Sequence, residues 1–244
     1  MDPSFDLHLV GFRSADFVSA AQRLFSGMPE VTCENVDVKS IPVARTGFVS
    51  PANSIGFMDG GVDAAYSRLM FPGVEADVKA AIRRVGLLTH LGRPYLPIGS
   101  AIVVPTAGGS SALVSAPTMF LPHDVSQTEN AYHAFMAALM AFQKFLRTAD
   151  TRFQRLVCPA LCTGYGKMPA EQAAEQMHRA YCDFREGKTP LAVMCQKDSC
   201  AFITAPTQDA CQPRNFDNRE IQDVQNNSGI SRKCFGTDAD CANV

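Results

Sequence analysis

Short apolar runs alternate with amphipathic stretches along the first 185 residues, and the runs end in loops bearing glycine, proline or asparagine. That order constrains the fold most, because strands separated by helices build a layered sheet with parallel neighbours. Residues 5–10 alternate apolar and polar side chains, as a half-buried strand does. Residues 14–25 carry Phe17, Val18, Ala21, Leu24 and Phe25 at helical spacing behind Ser14, a candidate cap. Strands are expected at 31–38, 46–50, 101–105, 113–116 and 156–159. Helices are expected at 62–70, 74–85 (stopped by Gly86), 128–146 and 170–185. The predicted class is α/β, a layered fold with a mixed or parallel sheet. The domain is expected to occupy 1–190. In residues 191–244 two short apolar runs, 191–194 and 201–204, form a candidate hairpin. Beyond them the chain turns polar and loses periodicity, and it reads as a loosely ordered or partner-binding extension.

Composition narrows the function. Charged residues make up 19% and the net charge is −2. That speaks against a basic nucleic-acid surface, which needs clustered Lys and Arg. No run is long and apolar enough for a membrane span, and Asp2 and Asp6 stand where a signal peptide would be basic. A soluble, intracellular protein is the expectation. Nine cysteines then read as reduced thiols. Five of them crowd the last fifty residues, but with no Cys-x-x-Cys knuckle and no His beyond His178, no metal is expected. No cofactor is expected either.

Two loops carry the chemistry, each between an apolar strand and a helix. The first, residues 50–63, reads SPANSIGFMDGGVD; the second, residues 159–169, reads PALCTGYGKMP. In a parallel sheet such loops gather at the carboxyl ends of the strands, where ligands bind. Asn53 offers a donor and an acceptor to vicinal sugar hydroxyls. Gly60 and Gly61 permit close backbone approach. Successive N–H groups over 162–166 can cradle a pyrophosphate, and Tyr165 can stack on a base or ribose. Each feature also has a plain structural reading. Asn53 suits an Asx turn, and the glycines suit tight turns. Asp63 suits a helix first turn, and Asp59 a helix cap, which is the preferred reading for Asp59. Cys162 sits near a helix N-terminus, where a thiol pKa tends to fall. His123 reads as a turn residue, His178 as solvent-facing and Lys167 as a solvated loop lysine.

Taken together and in order, the two loops resemble those of the macro domain family. Asn53 matches the second Asn of that family's Asn-Ala-Ala-Asn, and Gly60-Gly61-Val62-Asp63 matches the end of its glycine run and the acid after it. Cys162-Thr163-Gly164 matches its Ser-Thr-Gly loop, with Pro169 following. The likeness spans about 31–185 and is nearest to phage, large-virus or microbial members. It implies a three-layer α/β/α fold and ADP-ribose, or an ADP-ribosylated protein, as partner. By resemblance, Asn53 and the Gly60-Gly61 backbone meet the distal ribose. Thr163, Gly164 and Tyr165 meet the diphosphate, Asp37 meets the adenine amino group, and Val62, Cys162 and Gly166 are further ligand-binding candidates. In hydrolase members the acid at Asp63 supports cleavage of an ADP-ribosyl ester; Asn53 and Asp59 join it as catalytic candidates. Ser50 stands where the family has its first Asn, and Met58-Asp59 interrupts the glycine run. Three activities stay open: hydrolysis, non-catalytic reading of ADP-ribose, and a structural or assembly role.

Overall fold

The computed structural model describes residues 5–11, 14–85, 87–149 and 152–188. The expected extension from 191 onward, its hairpin, the domain boundary and the stop at Gly86 lie outside the described residues.

Six strands form one sheet: β1 (Asp6–Val10), β2 (Val31–Glu34), β3 (Thr46–Ser50), β4 (Ile102–Thr106), β5 (Ser111–Ser115) and β6 (Arg155–Pro159). Their order is β2-β1-β6-β3-β5-β4. Every pairing is parallel except β4 with β5, which meet through a tight turn at Ala107–Gly109. The sheet is therefore mixed, as expected, and the carboxyl ends of β1, β2, β3, β5 and β6 share one edge.

Helices cover both faces. On one side α1 (Ala15–Leu24), α4 (Asn130–Leu146) and α5 (Ala170–Arg185) pack on Leu7, Leu9, Val49, Val114 and Leu156. On the other, α2 (Gly61–Ala65), a π turn (Tyr66–Met70) and α3 (Val74–Val85) pack on Phe48, Leu113 and Val157. The period of two along each strand sends alternate side chains to these two cores. The central strands β3 and β5 are buried throughout, which is why they read as continuous apolar runs rather than alternating ones. Gly47 sits at a close approach: a Cβ there would lie 2.5 Å from the Phe142 ring, so its absence lets α4 settle onto β3.

Three local expectations need correction. The strand expected over 31–38 stops at Glu34, and a 3-10 turn follows at Val38–Ser40. It stops early because β2 is an edge strand paired only with β1, and Asp37 then bonds the backbone of the next turn. The helix expected over 62–70 begins as α2 but widens into the π turn, which buries Tyr66. Ser14 occupies the N-cap of α1 without a side-chain hydrogen bond to it.

Candidate ligand-binding site

β3 and β6 are hydrogen-bonded neighbours, paired through Thr46–Arg155, Gly47–Leu156 and Phe48–Val157. The first loop leaves the end of β3 and the second leaves the end of β6, so topology alone sets them side by side. Side chains complete the contact. A Cβ on Gly60 would lie 3.2 Å from Cε2 of Tyr165, so the tyrosine ring lies over the Gly60 α-carbon. Tyr165 is otherwise exposed, at 71%, which is unusual for so large an aromatic ring and leaves its outer face open.

The first loop is tightly braced. Asn53 Oδ1 accepts the N–H groups of Ile55, Gly56 and Phe57 at 3.1, 3.0 and 3.2 Å. Its oxygen is thereby committed to the loop, so the acceptor half of the role expected of Asn53 is taken up by its own neighbours. Ser54 N–H donates to the Met119 carbonyl at 3.0 Å, and Leu96 N–H donates to the Ser54 carbonyl at 2.8 Å. Met58 N–H donates to Glu75 of α3 at 3.2 Å. Gly56, at φ +85°, packs where a Cβ would meet Ile82 at 2.8 Å. Gly60 and Gly61 close the loop, Gly61 at φ +54°. Val62 is half-buried beside them.

Asp63 follows, and it is buried. Ser50 Oγ donates to its Oδ1 at 2.6 Å. Burial pushes the Asp63 carboxyl up to about 7; the Ser50 bond works against this, and the charges of Asp59 and Glu75 add to it. Asp63 does sit in the first turn of α2, as expected, but as a buried carboxyl rather than a solvated one. Ser50, which sequence reasoning treated only as a departure from the family pattern, is its hydrogen-bond donor. Beside it, the Tyr66 hydroxyl is buried with no hydrogen-bond partner among the described residues, and burial and the Asp63 charge raise its pKa. Asp59 does not cap α2. The N-cap is Gly60, with no side-chain hydrogen bond, and Asp59 stays exposed with its carbonyl receiving Arg68 at 3.4 Å.

The second loop is held from within and from the segment after β5. Thr163 Oγ1 donates to the Ala160 carbonyl at 3.2 Å, and Met168 N–H donates to the Cys162 carbonyl at 3.1 Å. Val125 N–H donates to the Gly166 carbonyl at 2.9 Å. Cys162 and Lys167 adopt φ of +64° and +53°, conformations that side-chain-bearing residues hold at a cost of about 1–3 kcal/mol each. Gly164 is exposed; Gly166 is buried, since a Cβ there would lie 2.5 Å from the Cys162 carbonyl and 2.7 Å from Val125. Gly166 therefore serves packing. Cys162 is also inward-facing, and burial raises its thiol to about 12, opposite to the lowering expected beside a helix N-terminus. α5 begins immediately after, with Pro169 at its N-cap and no side-chain cap.

The other candidates fall as follows. Asp37, at the carboxyl end of β2, bonds Lys39 N–H at 3.0 Å and its ammonium at 3.1 Å, in a turn that touches α2. His123 is an exposed turn residue, and Lys167 is an exposed partner of Asp124 at 3.8 Å. His178, expected to face solvent, is half-buried edge-on to Phe25, and burial lowers its pKa. A hollow of about 360 Å³ lies elsewhere, between α1 and β2, and no residue of either loop lines it.

No family model matches the chain. Among solved structures it is similar to an Oceanobacillus iheyensis macrodomain with MES bound, at 16% identity and a TM-score of 0.46, over 63% of this chain and 76% of that one. It is also similar to Thermosipho africanus DarTG in complex with ADP-ribose, at 16% identity and a TM-score of 0.46, over 62% of this chain and 38% of that one. A curated relative, an uncharacterised protein of Aquifex aeolicus (strain VF5), is 34% identical over 131 residues, or 53% of this chain and 68% of the relative. With that identity over more than two thirds of the relative's length, the chain belongs to the same family as the Aquifex aeolicus protein.

Proposed function

We infer that the chain binds ADP-ribose, free or linked to a protein, between the first and second loops. The observation that carries this reading is the meeting of the loops: Tyr165 over Gly60, on adjacent parallel strands, with Asp63 buried behind the glycines. The macro-domain resemblance of both loop sequences supplies the ligand. Asn53 donates its amide to the distal ribose, and the Gly60-Gly61-Val62 backbone lets that sugar approach. The backbone of Thr163, Gly164 and Tyr165 and the uncapped start of α5 receive the diphosphate. Tyr165 stacks its open face on the ligand, and Asp37 receives the adenine amino group.

Calorimetric titration with ADP-ribose tests this, with wild type beside Asn53→Asp. The substitution keeps an oxygen acceptor for the three loop N–H groups and removes the donor. Binding by the wild type and at least tenfold weaker binding by the variant support the reading. No binding by folded wild type overturns it and leaves a structural role.

A buried carboxyl at about 7 favours hydrolysis of an ADP-ribosyl ester over simple reading. Asp63 takes a proton from water at neutral pH, which a carboxyl of ordinary pKa does poorly. Release of ADP-ribose from an ADP-ribosylated carboxylate substrate, lost in Asp63→Asn, supports this activity. Binding without release makes the chain a reader.

A further inference from the structure

Ser50 ends β3 in full burial. It pairs in register with Ser115 of β5, and its carbonyl accepts the Ala116 N–H at 3.0 Å. A hydroxyl on a central strand held this way is a fixed point. Asp63 rides instead on α2, a helix of five residues that opens on Gly60 and Gly61 and has no side-chain hydrogen bond at its N-cap. The two meet at 2.6 Å, Ser50 Oγ to Asp63 Oδ1. That length falls in the range of about 2.5–2.7 Å for a hydroxyl donating to an ionised carboxylate. Asp63 keeps 9% of its surface accessible, so its carboxyl is held without being sealed off. Ser50 keeps none. Its hydroxyl is therefore spent on the carboxyl and offers a ligand nothing.

We propose that Ser50 is a positioning residue for Asp63: its hydroxyl fixes one carboxylate oxygen and leaves the other as the atom that takes the proton from water. This rests on the reading of Asp63 as a base. Asp59 faces the carboxyl from the first loop, Glu75 from α3, where Lys79 pairs with it, and the Tyr66 hydroxyl from the π turn. The Asp37–Lys39 pair lies on the 3-10 turn packed against α2. Burial and the two acids oppose ionisation of Asp63, and the Ser50 bond works against them. Without that hydroxyl the carboxyl keeps its proton to higher pH, and α2 loses a link to the sheet.

The test is a carbon-13 nuclear magnetic resonance titration of the Asp63 carboxyl in the full chain without ligand, for wild type, Ser50→Ala and Ser50→Thr. Ser50→Ala should raise the midpoint by about one pH unit, as loss of one hydrogen bond to a charged group does. Ser50→Thr keeps the hydroxyl and should return the midpoint toward wild type. Release of ADP-ribose gives a second readout. In Ser50→Ala, kcat at pH 7 should fall about fivefold, because the ionised fraction drops from about half to about a tenth. KM should hold, and the rise of kcat with pH should move to higher pH. A Ser50→Ala midpoint at the wild-type value overturns the proposal. So does an equal rise in both variants, which makes the shift an effect of packing rather than of the hydroxyl. The midpoints need no substrate, so a chain that titrates as expected yet releases no ADP-ribose contradicts the hydrolase reading and still supports the Ser50–Asp63 link.

Discussion

Asp63→Asn should change how stability depends on pH. The wild-type carboxyl holds its proton in the folded state up to about pH 7, against an ordinary value of 3.8. Between those values the folded chain binds a proton that the unfolded chain has released. Stability therefore falls as pH rises through the window and levels off above about 7. At about 1.4 kcal/mol per pH unit, the full fall is on the order of 4 kcal/mol. That is an upper figure, because water entry and relaxation soften such costs. The substituted asparagine would carry no charge and still accept the Ser50 bond. The variant should match wild type near pH 4 and exceed it by a few kcal/mol at pH 8. Urea unfolding at intervals from pH 4 to 8 reads the difference directly, since only the carboxyl of Asp63 distinguishes the two chains. Parallel curves for the two would show that Asp63 ionises normally and would remove the basis for its role as a base.

Three further substitutions test the packing around the site. Tyr66→Phe removes a buried hydroxyl that has no hydrogen-bond partner among the described residues, so it should raise stability by about 1 kcal/mol in thermal unfolding at pH 6; a loss of stability would refute this. Gly166→Ala drives a methyl into the Cys162 carbonyl, which cannot yield as a side-chain tip can, and should cost about 1–3 kcal/mol by denaturant titration; Gly164→Ala, in open space, should cost less than half as much.

Much of the fold was legible because strand and helix periods are local signals. Residues 46–50, 74–85 and 170–185 match β3, α3 and α5 to the residue. The edge strand β2 was overrun, since only its pairing tells where it ends. The loops were legible as loops, but their division of labour was not. Asn53 spends its oxygen on three neighbouring N–H groups, and Gly166 fills space rather than facing outward. Ser50 and Asp63 lie thirteen positions apart, and their bond depends on how α2 returns beneath β3. The inversion of Cys162 has the same origin: burial in the fold outweighs a helix end that is visible in sequence. His178 and Cys182 show helical spacing in the sequence, but only packing against Phe25 shows the histidine turned inward.

The central claim is that both loops form one ligand site, and an amide-resolved nuclear magnetic resonance titration with ADP-ribose tests it most directly. The account predicts that amides of residues 53–63 and 162–166 shift together along one binding curve, with Asn53 side-chain amide signals among the largest movers. Shifts confined to one loop, or centred on Gln22, Phe25 and Cys33 at the hollow between α1 and β2, would contradict it.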